Sequence, residues 1–154
     1  MRIADLITRP VVTCQVNDTL NLAAQRMWDE EIGALPVVRE DGKLVGMITD
    51  RDVCMGAYTQ GRRLDEILVN SAMSENIVCA RADQKPSEVE QLMADHRVRR
   101  VPVVDADHKP IGLISIDDLA VESAQPDTRL RGGPAGVAHT LAAICRPRVV
   151  SKHA

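Results

Sequence analysis

Two seven-residue stretches carry the most specific chemistry in the chain. Gly46, Thr49 and Asp52 follow the pattern G-x-x-[T/S]-x-x-D, and Gly112, Ser115 and Asp118 repeat it. Each stretch closes an apolar run that reads as a strand and opens what reads as a helix. A glycine in a strand lets something approach the backbone closely. The hydroxyl three residues later falls at a helix N-terminus, where free N–H groups and the helix dipole favour a phosphate. The carboxylate a turn further on accepts two hydrogen bonds, as a ribose diol supplies. A competing reading is local: Ser or Thr followed three residues later by an acid is also a capping box, which only starts a helix. Taken singly, either stretch is more simply a cap. Their duplication, each with its preceding strand and glycine, favours a nucleotide site.

Other reactive groups lead less far. Asp50/Asp52 and Asp117/Asp118 are paired acids without an accompanying nucleophile or base, and they suit the first turn of a helix. Cys14, Cys54, Cys79 and Cys145 show neither C-x-x-C spacing nor a nearby His, which excludes a zinc signature and a secreted disulfide framework. Cys14 and Cys79 fall on apolar strands and read as small buried hydrophobes. Cys54 lies one turn into a site helix, where its thiol could report on a ligand. His96 sits on a helical apolar stripe, His108 in a turn, and His139 and His153 in the tail, so no metal site is expected. Arg99 and Arg100 precede an apolar strand and suit an anionic ligand. Arg51 is a further candidate.

The elements that position these residues come in duplicate. Asp5–Val53 aligns with Ser71–Leu119 at a constant offset of 66 residues without a gap, and twelve of the 49 positions are identical. Each copy reads as a short strand (Val11–Cys14; Ile77–Ala80), an amphipathic helix (Leu20, Ala23, Ala24, Met27; Val89, Leu92, Met93, His96), a strand after proline (Pro36–Val38; Pro102–Val104) and a returning strand (Leu44–Ile48; Ile111–Ile114). A second helix begins at Thr49 or Ser115. Asp18 is the expected cap of the first helix, and Pro86 suits the first turn of its counterpart. Asp41-Gly42 marks a hairpin, with Asp107-His108 in its place in the second copy. The chain therefore divides into repeats at 1–59 and, after a linker, 60–124. A basic tail at 125–154 carries a helix over 134–146 that Pro147 ends. A copy this small cannot bury its apolar surface alone. The two should pack sheet to sheet about a pseudo-twofold axis, an α/β (α+β) fold with two related clefts between the repeats.

Bulk properties narrow the function classes. The chain has 154 residues, 45% of them hydrophobic, with one Trp, one Tyr and no Phe. The core must be aliphatic, and recognition by stacked rings is not expected. A net charge of −3 argues against a general polyanion binder, so no nucleic-acid partner is expected. The charge is uneven: residues 125–154 hold five Lys/Arg against one Asp, and the first 124 hold 14 against 21 Asp/Glu. Such a tail could dock on the body, a second subunit or an acidic partner. Neither a signal peptide nor an apolar stretch of membrane-spanning length is visible, so a cytoplasmic location and no membrane partner are expected.

The segments GALPVV…DGKLVGMITDRD and RRVPVV…KPIGLISIDD resemble a tandem pair of cystathionine-β-synthase-type (CBS) domains, a Bateman module, over about 120 residues. With IGALPVV, HRVRRVPV and an ending like AICRP, the chain is similar to stand-alone two-CBS proteins of the hypoxic-response type. The resemblance implies a non-enzymatic sensor that binds adenosine nucleotides, and a homodimer paired through exposed helices. It also implies that Thr49 and Ser115 touch phosphate, that Asp52 and Asp118 hold the ribose, and that Thr13, Cys14, Cys79, Ala80, Pro36 and Pro102 line the adenine slot. AMP, ADP and ATP are the candidate ligands, S-adenosylmethionine and NADH come second, and no cofactor is required. The partner that hears the signal is an unidentified protein effector. A rival reading is a ligand-free dimeric stress or interaction protein that responds to redox state through its thiols. An enzyme is the weakest reading. The unpaired basic residues of the second copy predict unequal clefts, the arginine-served one being tighter for anionic nucleotides.

Overall fold

Short apolar runs bounded by turn residues set the sheets. In a computed structural model, which describes residues 1–7, 9–130 and 132–146, two three-stranded sheets form. The first repeat contributes β1 (Cys14–Gln15), α1 (Leu20–Asp29), β2 (Ala34–Val38), β3 (Leu44–Thr49) and α2 (Asp50–Gln60). The second contributes β4 (Ala80–Arg81), α3 (Pro86–His96), β5 (Arg100–Val104), β6 (Pro110–Ser115) and α4 (Ile116–Ser123), and α5 (Gly133–Cys145) follows. The first sheet has the order β1-β2-β3 and the second β4-β5-β6; in each, the first pair is parallel and the second antiparallel. The register carries the 66-residue offset throughout, down to an irregularity at Val37/Val38 and again at Val103/Val104. This is the mixed α/β architecture of two βαββα repeats about a pseudo-twofold axis, with one helix added at the C-terminal end.

Local chemistry explains the turns. Gly42 takes φ +79° at the first hairpin and His108 takes φ +63° at the second, the left-handed region that favours glycine and that His enters less readily. The hairpin tips meet: the Leu44 N–H donates to the His108 carbonyl at 3.0 Å. Pro86 occupies the first turn of α3 as its fixed φ predicts. The cap of α1 is Thr19, whose hydroxyl accepts from the Leu22 N–H, and not Asp18. Asp18 instead accepts from the Gln15 N–H and pairs with Arg26 at 2.9 Å. The first strand of each repeat starts later than the apolar run suggests, at Cys14 and Ala80.

Each repeat is completed by the segment that leads into the other. Ile3, ahead of the first repeat, is wholly buried in the second repeat's core with Val89, Met93, Val101 and Ile114. Val69, its counterpart 66 residues on, is wholly buried in the first repeat's core with Leu20, Leu35 and Ile48. The backbone follows suit: Ile3 N–H donates to Gln84 O and Ala4 N–H to Ala82 O, while Val69 N–H donates to Asp18 O and Asn70 N–H to Val16 O. The two strand glycines make room for these leads. A Cβ on Gly46 would lie 2.7 Å from Met73 Sδ and 3.0 Å from the Ser74 carbonyl oxygen, and a Cβ on Gly112 would lie 2.7 Å from Ile7 Cδ1. The close approach expected at these glycines is thus made by the chain itself.

Helix α5 packs on α3 and α4, burying Val137, Thr140 and Ile144. One departure from the expected stripe falls on α3: His96 is exposed, and Glu90 is buried. Burial pushes the Glu90 carboxyl up from its ordinary range. Residues 147–154, with Pro147, His153 and the end of the expected tail, lie outside the described residues. Ile3→Ala removes a fully buried side chain and should destabilise the fold by about 2–5 kcal/mol. Urea denaturation followed by circular dichroism checks this; a loss under about 1 kcal/mol would mean that the lead contributes little to the second core.

Candidate functional site

The corners where β3 becomes α2 and β6 becomes α4 are built identically. Thr49 and Ser115 are N-caps in extended conformation, at φ −116° and −118°. The Asp52 N–H donates to Thr49 Oγ1 at 3.1 Å, and Asp52 Oδ2 accepts from the Thr49 N–H and hydroxyl, both at 2.9 Å. Ser115 and Asp118 repeat the arrangement, with the backbone N–H at 2.7 Å and the hydroxyl at 2.6 Å from Asp118 Oδ2. The capping box is therefore formed in full at both corners. The second oxygen of each carboxylate stays outside this box, and all four side chains are only half-buried.

Each corner opens onto a cleft walled by the opposite repeat. The first cleft, about 500 Å³, brings Thr49, Arg51 and Asp52 of the first repeat against Asn76–Val78, Arg97–Arg100 and Pro102 of the second. The second, about 390 Å³, brings Ser115, Asp117 and Asp118 against Arg9–Val12 and Glu30–Ala34 of the first repeat. Both volumes suit a small ligand. Ala34 and Arg100, counterparts under the 66-residue offset, line both cavities, so the pseudo-twofold axis passes between them.

The structure gathers Thr49, Arg51, Asp52, Arg99, Arg100 and Pro102 in one cleft, and Ser115, Asp118 and again Arg100 in the other. Thr13, Cys14, Cys79 and Ala80 line neither; the segments just ahead of them, Val11–Val12 and Ile77–Val78, do so instead. By Cys14 and Ala80 the chain has entered its own sheet, and both side chains are fully buried in the cores. The Thr13 carbonyl accepts from Arg26. Pro36 is buried opposite Met47 within its sheet and lines neither cleft.

Sequence reasoning passed over Arg97 and Glu31, which occupy equivalent positions after α3 and α1. Both take the left-handed conformation, at φ +53° and +54°. Asp117, taken for a first-turn acid, lines the second cleft as its counterpart Arg51 lines the first. Ile144, from α5, joins the wall of the first cleft, and beside it Arg99 Nη2 lies 3.6 Å from Cys145 Sγ. Reading the two copies position by position for charge would have exposed all but the α5 contribution.

Among the described residues, none of Arg51, Arg97, Arg99 and Arg100 is held in an ion pair, and no group of three candidate metal ligands occurs. The thiols divide by burial. Burial pushes Cys14 up from 9.0 to about 12, aided by the charge of Asp18, and raises Cys79 as well; Cys54 and Cys145 are exposed.

Paired strand-to-helix corners facing two clefts across a pseudo-twofold axis define a tandem regulatory module. The chain belongs to the CBS-domain family, whose model matches residues 3–56 and 66–124. It is 38% identical to the CBS domain-containing protein YhcV of Bacillus subtilis over 77% of this chain and 83% of that one. It is 32% identical to hypoxic response protein 1 of Mycobacterium tuberculosis, over 75% and 80% respectively. Among solved structures it is similar to the CBS domain pair of protein MJ0100 in complex with 5′-methylthioadenosine and S-adenosyl-L-methionine. That match has a TM-score of 0.69 and 29% identity, covering 79% of this chain and 94% of that one.

A thiol whose ionisation is suppressed by folding gives a signed pH effect. Above pH 9 the unfolded chain releases the Cys14 proton while the folded chain keeps it, so stability falls as pH rises from about 9 towards 12. Cys14→Ala should flatten that slope in melting curves taken at rising pH. An unchanged slope would place the Cys14 thiol in contact with solvent.

Proposed function

We propose that the chain is a non-enzymatic regulatory module that binds an adenosine nucleotide in the first cleft. The carrying observation is the meeting of Thr49 and Asp52 with Arg97, Arg99 and Arg100 around one cavity. The ribose diol faces the free oxygen of Asp52, and the phosphate faces the start of α2 and the guanidinium groups, which favour a phosphate in bidentate geometry. The base enters the apolar wall at Ile77, Val78 and Pro102. The MJ0100 pair, which binds two adenosine compounds, supports the ligand class. Occupancy changes the balance between two shapes only by differential affinity. Ile144 and Cys145 put the end of α5 at the cleft, a route by which binding reaches a protein effector. No helix among the described residues is long and apolar enough to cross a membrane.

The same reading makes the protein a homodimer. Trp28 on α1 is 84% exposed and Tyr58 on α2 is 80% exposed, on the repeat that α5 leaves uncovered. Trp28→Glu with Tyr58→Glu should convert a dimer to a monomer in light scattering. A monomeric unsubstituted chain, or a variant that stays dimeric, rejects this pairing.

A thermal-shift panel of AMP, ADP, ATP, S-adenosylmethionine and NADH tests the ligand. At about 100 times its dissociation constant a ligand stabilises by about 2.7 kcal/mol, roughly 5–10 °C here. Arg99→Ala with Arg100→Ala should weaken nucleotide binding at least about tenfold, or ~1.4 kcal/mol. A flat panel returns the protein to the ligand-free reading, and a reductant-dependent melt to its thiol form.

A further inference from the structure

The two clefts share a frame and differ in sign. In the first, four arginines (Arg51, Arg97, Arg99, Arg100) face two acids, Asp50 and Asp52. In the second, four acids (Glu30, Glu31, Asp117, Asp118) face two arginines, Arg9 and Arg100. The reversal is made at equivalent positions. Arg97 is replaced by Glu31, and Arg51 by Asp117, each 66 residues away from its counterpart. Arg99 and Arg100 correspond to Gly33 and Ala34, so the second cleft also loses the cations that its own repeat would supply.

Glu31 shows that the difference is not casual. It holds a left-handed backbone conformation, where glycine is the easier choice, and it places a carboxylate in the wall of a cavity. Arg97 does the same with a cation on the other side. The frame that would receive the sugar, Ser115 with Asp118, is intact in the second cleft and matches Thr49 with Asp52 within 0.3 Å in every hydrogen bond of the box. A phosphate entering there would meet four carboxylates against two guanidinium groups, and the excess of like charge repels it.

The geometry points to a division of labour by charge: the first cleft takes the anionic nucleotide, and the second takes an adenosine derivative whose 5′ substituent is cationic, with Glu31 and Asp117 as the residues that set the preference. This rests on reading the clefts as adenosine sites. Arg100, which lines both, is available to only one ligand at a time.

Isothermal titration with AMP and with S-adenosylmethionine, which carries a net positive charge, reads this out. The unsubstituted protein should bind one AMP per chain, lost in Arg99→Ala/Arg100→Ala, and one S-adenosylmethionine that does not compete with it. Glu31→Arg/Asp117→Arg gives the second cleft the arginines that the first carries at positions 97 and 51. It should bind two AMP per chain and lose at least tenfold in affinity for S-adenosylmethionine. Glu31→Gln/Asp117→Asn, which keeps side-chain shape, should lose at least threefold for S-adenosylmethionine and serves if the arginine pair fails to fold. Two comparable AMP sites in the unsubstituted protein overturn the inference, as does S-adenosylmethionine affinity that neither variant changes. In both cases the AMP site of the first cleft still stands. Only the failure of every adenosine compound to bind removes both readings.

Discussion

The exchange of leading segments between the repeats is the constraint on which the rest of the structure depends. Ile3 and Val69 each complete the core of the copy they do not precede. The exchange also decides where the clefts are. After residues 3–7 have been held on the second sheet beside Gly112, the chain must cross to its own sheet, and residues 9–12 line the second cleft on the way. Residues 69–74 are held beside Gly46 in the same manner, and 76–78 line the first cleft. Neither cavity would have its apolar wall without this crossing.

The features legible in the sequence are those that short-range chemistry fixes. The hairpin at Asp41-Gly42, the proline at the start of α3 and the corners at Thr49 and Ser115 each follow from a few neighbouring residues. At the corners both competing readings describe the same atoms. The hydroxyl is engaged in the cap, and the second carboxylate oxygen is what remains for a ligand. The exchange was not legible, because an offset of 66 shows that Ile3 and Val69 are equivalent without saying on which copy either packs. Thr13, Cys14, Cys79 and Ala80 fall outside the clefts for a related reason. Apolar runs at Val11–Cys14 and Ile77–Ala80 look uniform, yet their first halves face the clefts and their last residues lie in the cores. Glu90 was unreadable because the segments around it, Met1–Arg2, Arg129–Leu130 and α5, are far away in sequence.

The duplicated halves have kept what the frame needs and diverged where the walls are. Pro36, Val37, Val38, Gly46, Ile48 and Asp52 are matched residue for residue by the second copy. They pack the sheet, admit the lead or close the cap. Positions 31, 33, 34 and 51 differ from 97, 99, 100 and 117, and all eight line a cavity. A charge change at a half-exposed wall leaves packing untouched, so it can be made in one copy alone.

Helix α5 breaks the equivalence of the two ends of the module. It lies across α3 and α4, and nothing among the described residues lies across α1 and α2 in the same way. A pseudo-symmetric body with both such ends open could stack copy upon copy into an open-ended array. With one end stoppered, copies that meet through the other must use the same patch on each, and growth halts at a closed pair. On the proposed pairing, the added helix is a chain terminator for assembly, and it sits on the repeat whose arginines wall the first cleft.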